Sequence, residues 1–101
     1  MTIINRQKTL FNPGTILLTR SIALKKDSAE NFGRFIFESI RRHLSGDWGD
    51  LGEDDKALND LSLDDEEPGR IFSMYKQGKE KIYIITEWDR SATTVLFPED
   101  Y

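Results

Sequence analysis

The sequence predicts an α+β domain, a small antiparallel sheet in the order β-α-α-β-β-β with helices packed on one face. Three observations carry this. Phe32, Phe35, Ile36, Ile40 and Leu44 recur at the spacing of an amphipathic helix. Two runs rich in aromatic and β-branched residues, 70–76 and 81–88, flank the turn-forming Gln77-Gly78-Lys79-Glu80 and read as a hairpin. A third such run, 93–97, is stopped by Pro98. The 101 residues are one domain's worth of chain, so a single domain over 1–101 is expected, with residues 1–13 as an N-terminal extension free to flex.

Taken in order, the extension ends at Asn12-Pro13-Gly14, where proline presets φ and glycine supplies the positive φ of a tight turn. Residues 15–19, Thr-Ile-Leu-Leu-Thr, then read as a short strand. Asp27 or Ser28 is the expected cap of the amphipathic helix, whose other face carries Arg34, Glu38, Arg41 and Arg42 and which Gly46 terminates. Residues 47–52 form an ordered loop anchored by Trp48 and Leu51. Residues 53–61 form a short helix with acids in its first turn, where they complement the helix dipole. Residues 64–69 are a self-repelling connector leading to Pro68-Gly69.

Charge is unevenly placed. The chain carries −4 overall, yet residues 1–46 are net +5, residues 47–67 net −9 and residues 68–101 neutral. A net negative chain is a poor first expectation for a non-specific DNA binder, whose affinity comes from cations that displace counterions. No cysteine is present, which excludes disulfides, thiolate metal sites and a cysteine nucleophile. No apolar run reaches membrane-spanning length and the first residues lack a signal-peptide core, so the expectation is a soluble, cytoplasmic protein without membrane contact.

His43 is the sole histidine. Beside Asp47, Glu53 and Asp54 it could support a divalent cation and proton transfer, a hydrolase-like or nuclease-like arrangement. Its bland reading is a cation closing the helix C-terminus. Asp47-Trp48-Gly49 reads as a packing hinge or, with Trp48 exposed, as a recognition loop. Glu87, Asp89 and Arg90, followed by Ser91, Thr93 and Thr94, could bind an anion or form a turn knitted by side-chain-to-backbone bonds. Arg70, Phe72, Tyr75, Lys76, Lys79, Lys81 and Tyr83 interleave bases with aromatics as nucleic-acid-binding sheets do, although aromatics at inward positions would be core. No phosphate-cradling loop or other cofactor motif accompanies them, and neither a cofactor nor a metal is expected.

Three strings also resemble a known family. Residues 42–49, containing Gly46-Asp47-Trp48-Gly49, are followed by Glu53-Asp54-Asp55-Lys56 and Asn59; residues 70–75 are the second; residues 84–101, containing Thr86-Glu87-Trp88-Asp89-Arg90-Ser91-Ala92-Thr93-Thr94, are the third. They are similar to a small bacterial family of uncharacterised "plasmid-related" proteins carried on mobile elements, over roughly residues 36–101. Some members bear a type I restriction subunit label, which fits no methyltransferase fold or motif in this chain. The resemblance implies a mobile-element setting beside host-defence loci and assigns no catalytic residue.

The expectation is therefore a non-enzymatic interaction protein. It binds a protein partner, a host-defence component, through its acidic segment, with Trp48, Asp50, Asp54, Asp55, Asp64, Asp65, Glu87, Asp89 and Arg90 as candidate binding residues. A metal-dependent hydrolase, a nucleic-acid-binding accessory protein and a homodimer stay open as alternatives.

Overall fold

The computed structural model describes residues 9–101. A four-stranded sheet has β1 (Thr15–Leu18), β4 (Ala92–Leu96), β3 (Glu80–Thr86) and β2 (Ile71–Gln77) side by side in that order. The predicted hairpin forms with Gln77 opposite Glu80, and β3 pairs antiparallel with β4. The sheet is mixed rather than wholly antiparallel, because β1 runs parallel to β4, Thr15 opposite Ala92 and Leu18 opposite Val95. The long helical crossover before β2 makes that parallel pairing reachable.

Three helices precede the hairpin, where the sequence pattern predicted two. α1 (Arg20–Ser28) was not anticipated; only its Ile22 is buried, so its apolar stripe is too thin to read. Asp27 and Ser28 lie in its last turn instead of capping the next helix. α2 (Glu30–Leu44) starts from Ala29, an extended residue whose carbonyl receives the Phe32 and Gly33 amides. α3 (Glu53–Ser62) is the predicted acidic helix. A short 3-10 turn (Pro98–Asp100) follows β4, and the Asp100 carboxylate accepts hydrogen bonds from the Thr19 and Ser21 hydroxyls. Those bonds hold the Asp100 carboxyl below its usual range.

Strand alternation divides the sheet into two faces. Tyr75, Ile82, Ile84 and Val95 point to the helices and form the core with Ile22, Phe32, Phe35 and Ile36. Phe72, Met74, Tyr83, Ile85, Thr94 and Leu96 point the other way. Before β1, the Leu10 amide donates to the Leu44 carbonyl and Phe11 rests against His43 and Trp48. The part of the N-terminal extension from Leu10 onward is thus docked, and residues 1–8 lie outside the described residues.

Candidate functional site

His43 ends α2 with its ring fully buried beneath the sheet. Ser73, Thr86 and Thr93 are hydroxyl residues at inward positions of β2, β3 and β4, and they receive it. Nδ1 lies 2.6 Å from Ser73 Oγ and Nε2 lies 2.9 Å from Thr86 Oγ1. Thr86 Oγ1 lies 2.7 Å from Thr93 Oγ1, which donates to the Pro13 carbonyl at 2.7 Å. That carbonyl can only accept, and this fixes the protons back along the chain as far as His43 Nε2. Thr93 donates to Pro13, Thr86 donates to Thr93 and His43 donates from Nε2 to Thr86, which leaves Nδ1 against the Ser73 hydroxyl.

The imidazole is neutral because it is buried, and Ser73 then donates to Nδ1. Burial, with the Arg90 guanidinium as a smaller contribution, lowers its pKa to about 3. His43 is not the helix-closing cation its position suggested, nor is it a reachable base or metal ligand, since both ring nitrogens are engaged. Thr93 belongs to this buried relay and not to an anion site.

Residues 47–50 seal one edge of the sheet. Trp48 O accepts the Met74 amide at 3.3 Å, the Asp50 amide donates to Met74 O at 2.7 Å, and the Lys76 amide donates to Asp50 Oδ2 at 3.1 Å. Asn59 of α3 completes the seal. Its amide nitrogen donates to Phe72 O at 2.7 Å and its oxygen accepts the Phe72 amide at 3.1 Å. The outward backbone groups of β2 thereby gain partners without another strand, which is how an edge is made safe from aggregation.

Trp48 is 4% exposed, stacked on Phe11 and donating from its indole to Asp60 at 2.9 Å. The packing-hinge reading holds for it, and the recognition-loop reading falls. Asp47 is held by a two-pronged Arg42 contact at 2.7 and 3.1 Å and accepts the Gly49 amide. The Arg42 guanidinium is the main reason its carboxyl lies below the usual range.

Arg90 also proves structural. At φ +60 it is the sole described non-glycine residue with positive φ, and its guanidinium reaches the carbonyls of Gly69 (2.7 Å), Ser62 (2.8 Å) and Glu87 (3.2 Å) while covering the Phe11 ring. It closes the C-terminus of α3, whose own last turn has no base. Asp89 accepts the Ser91 amide at 3.0 Å, the knitted turn expected at this position. The backbone of Glu87 closes the loop, its amide bonding Ala92 O and its carbonyl accepting the Arg90 amide. Replacing Arg90 by Met is expected to destabilise the fold by about 2 kcal/mol or more, because three carbonyls lose a charged donor. Urea unfolding measures this.

What remains accessible is α3. Glu53, Asp54 and Asp55 are exposed at its start, Asp64 and Asp65 beyond its end, and Asp64 accepts the Glu66 amide. Among the described residues no cluster of three His, Asp or Glu could hold a metal ion. His43, Asp47, Glu53 and Asp54 are not brought together as a catalytic set. The relay residues Ser73 and Thr86 and the edge-sealing role of Asn59 escaped sequence reasoning. The signal for Ser73 and Thr86 was polar residues at inward strand positions among isoleucines.

No family model, curated protein or solved structure matches the chain. No helix among the described residues is long and apolar enough to cross a membrane.

Proposed function

We propose that this chain is a non-enzymatic interaction protein whose docking surface is the outer face of α3. One observation carries the reading. Leu58 and Leu61 are 60% and 72% exposed, and they fall in line with Asp54 at helical spacing (i, i+4, i+7), with Asp55, Asp64 and Asp65 around them. A soluble domain gains nothing by leaving two leucines in water on one short helix, and apolar centres rimmed by charge are how binding surfaces are built. A shallow cavity of about 230 Å³ beside Leu58, lined also by Leu51, Asp55, Asn59, Arg70 and Phe72, gives a partner's side chain a place to enter.

The partner class is a protein with a basic surface. The acids steer it and the leucines hold it. The resemblance to mobile-element proteins favours a host-defence component, whose nucleic-acid groove the α3 carboxylates would occupy in place of phosphates.

The test is a pull-down from nuclease-treated host lysate, with any captured protein then titrated against purified variants. Leu58→Ser with Leu61→Ser, and Asp54→Asn with Asp55→Asn, Asp64→Asn and Asp65→Asn, are each expected to weaken binding about tenfold or more while the fold is kept, the acidic variant losing only the small helix-dipole contribution of Asp54 and Asp55. The acidic variant is also expected to lose most of the salt dependence. Full affinity in both variants overturns the reading.

A further inference from the structure

We infer that the sheet face turned away from α1 and α2 is a binding platform for single-stranded nucleic acid, a site that adjoins the α3 surface along Arg70 and Phe72. The hairpin mixed bases and aromatics in sequence, and strand alternation now sorts them. Tyr75 is core, fully buried under the Arg42 guanidinium, and drops out. Phe72 and Tyr83 share the opposite face with ring centroids 4.8 Å apart. Tyr101, which no hairpin pattern could supply, joins them from beyond β4, 6.5 Å from Phe72 and 6.1 Å from Tyr83, and remains 68% exposed. Three rings thus lie together on a sheet surface, the arrangement on which unpaired bases stack irrespective of sequence.

Charge selects the occupant. Lys76 and Lys81 are directly opposite one another in β2 and β3, on the same face as the rings and both exposed. Like charges facing across a strand pair destabilise a sheet, so their placement calls for an anion. Neither they nor Lys79 has a carboxylate within ion-pair distance among the described residues, whereas Lys25, Lys56, Arg34 and Arg42 do. At the other end Arg70 donates to the Tyr101 hydroxyl and lies over its ring. Cations therefore bracket the aromatic centre, separated by six strand residues or roughly 20 Å. A backbone of phosphates crossing the face meets positive charge at both ends and rings between. A protein partner of ordinary composition would not require the facing lysines.

The experiment is fluorescence anisotropy of labelled oligothymidylate, oligouridylate and a duplex of the same length with the full chain. Single strands are expected to bind, with a log–log salt slope of about −2 for three contacted phosphates, and the duplex to bind more weakly. Lys76→Gln with Lys81→Gln should weaken binding about tenfold or more and flatten the salt slope, while the thermal midpoint holds or rises because a repulsive pair is gone. Tyr101→Ala removes an exposed ring and should also weaken binding about tenfold. Absence of single-strand binding, equal affinity for the duplex, or unaltered affinity in Tyr101→Ala each overturns the proposal. Leu61→Ser, on the part of α3 that does not line the hollow beside Phe72, is expected to bind the oligonucleotides normally.

Discussion

Gly49→Ala is expected to lower the unfolding free energy by about 3 kcal/mol or more. Gly49 sits at φ +80, and an added Cβ would land on the Met74 carbonyl oxygen and press on the Tyr75 ring. Neither neighbour can withdraw. Met74 O receives the Asp50 amide, and the Tyr75 hydroxyl donates to Asp47 O at 2.6 Å. The strain is therefore relieved only by lifting residues 47–50 from β2, which uncovers the edge and draws Trp48 out of its packing. Gly52→Ala is the matched control, since nothing lies within 4 Å of its Cβ position and its φ is not positive. Because Gly52 is the N-cap of α3, where alanine is less favourable than glycine, the control should cost no more than about 1 kcal/mol. Urea unfolding of the two variants checks the pair, and a Gly49→Ala loss below about 1 kcal/mol would refute the account of the loop.

Acid should unfold the protein through His43 before the carboxylates contribute. Its pKa is about 3 when folded, against about 6.5 in an unfolded chain, so between those values the unfolded state holds the extra proton. Above pH 6.5 the imidazole is neutral in both states and contributes nothing to the pH dependence. Below it, stability falls by about 1.4 kcal/mol per pH unit, roughly 2 kcal/mol between pH 7 and pH 5. Asp47, Asp89 and Asp100, all with lowered pKa values, stabilise above the ordinary carboxylate range and lose that contribution only at lower pH. Unfolding free energies at pH 7 and pH 5 measure the slope. Nitrogen-detected NMR of the ring should find the proton on Nε2 and no titration between pH 7 and pH 5. A ring titrating near pH 6.5 would contradict the buried relay.

The legible parts of this fold were those written in local periodicity. Phe32, Phe35, Ile36 and Leu44 announce α2, and Gln77-Gly78-Lys79-Glu80 announces the hairpin, because each pattern lies within a few turns or strands of itself. α1 has a single buried residue and so writes almost no pattern. The direction of β1 was illegible for another reason: Thr15-Ile16-Leu17-Leu18 has the same alternation whether its neighbour runs parallel or antiparallel.

The candidate site divides in the same way. Trp48 as an anchor and Asp89 as a turn residue follow from side-chain chemistry. Arg90 reads as part of that turn, but its reach to Ser62 and Gly69 depends on distant chain arriving beside it. His43 meets Ser73 and Thr86 across 30 and 43 residues of sequence. Burial turned it from an expected cation into a neutral link, and a residue count cannot show burial. The acids of residues 47–67 looked uniform as a run, yet Asp47, Asp50 and Asp60 are engaged in holding the loop and sheet edge while Asp54 and Asp55 face solvent.

The pairing of β1 with β4 also sets an order of events during synthesis. β1 emerges from the ribosome early and then has no strand to lie against until residues 92–95 follow. The hairpin of β2 and β3 can close as soon as it is made, being local, whereas β1 must wait through more than seventy residues of intervening chain. Its contacts arrive as a set: the β4 ladder, the Thr93 bond to Pro13 and the Asp100 bonds to Thr19 and Ser21. A nascent chain stalled before residue 92 thus carries a strand whose backbone has no ladder partner, a segment for chaperones to bind, and the last ten residues are the latch that pairs it, while Ile16 and Leu17 stay exposed even then.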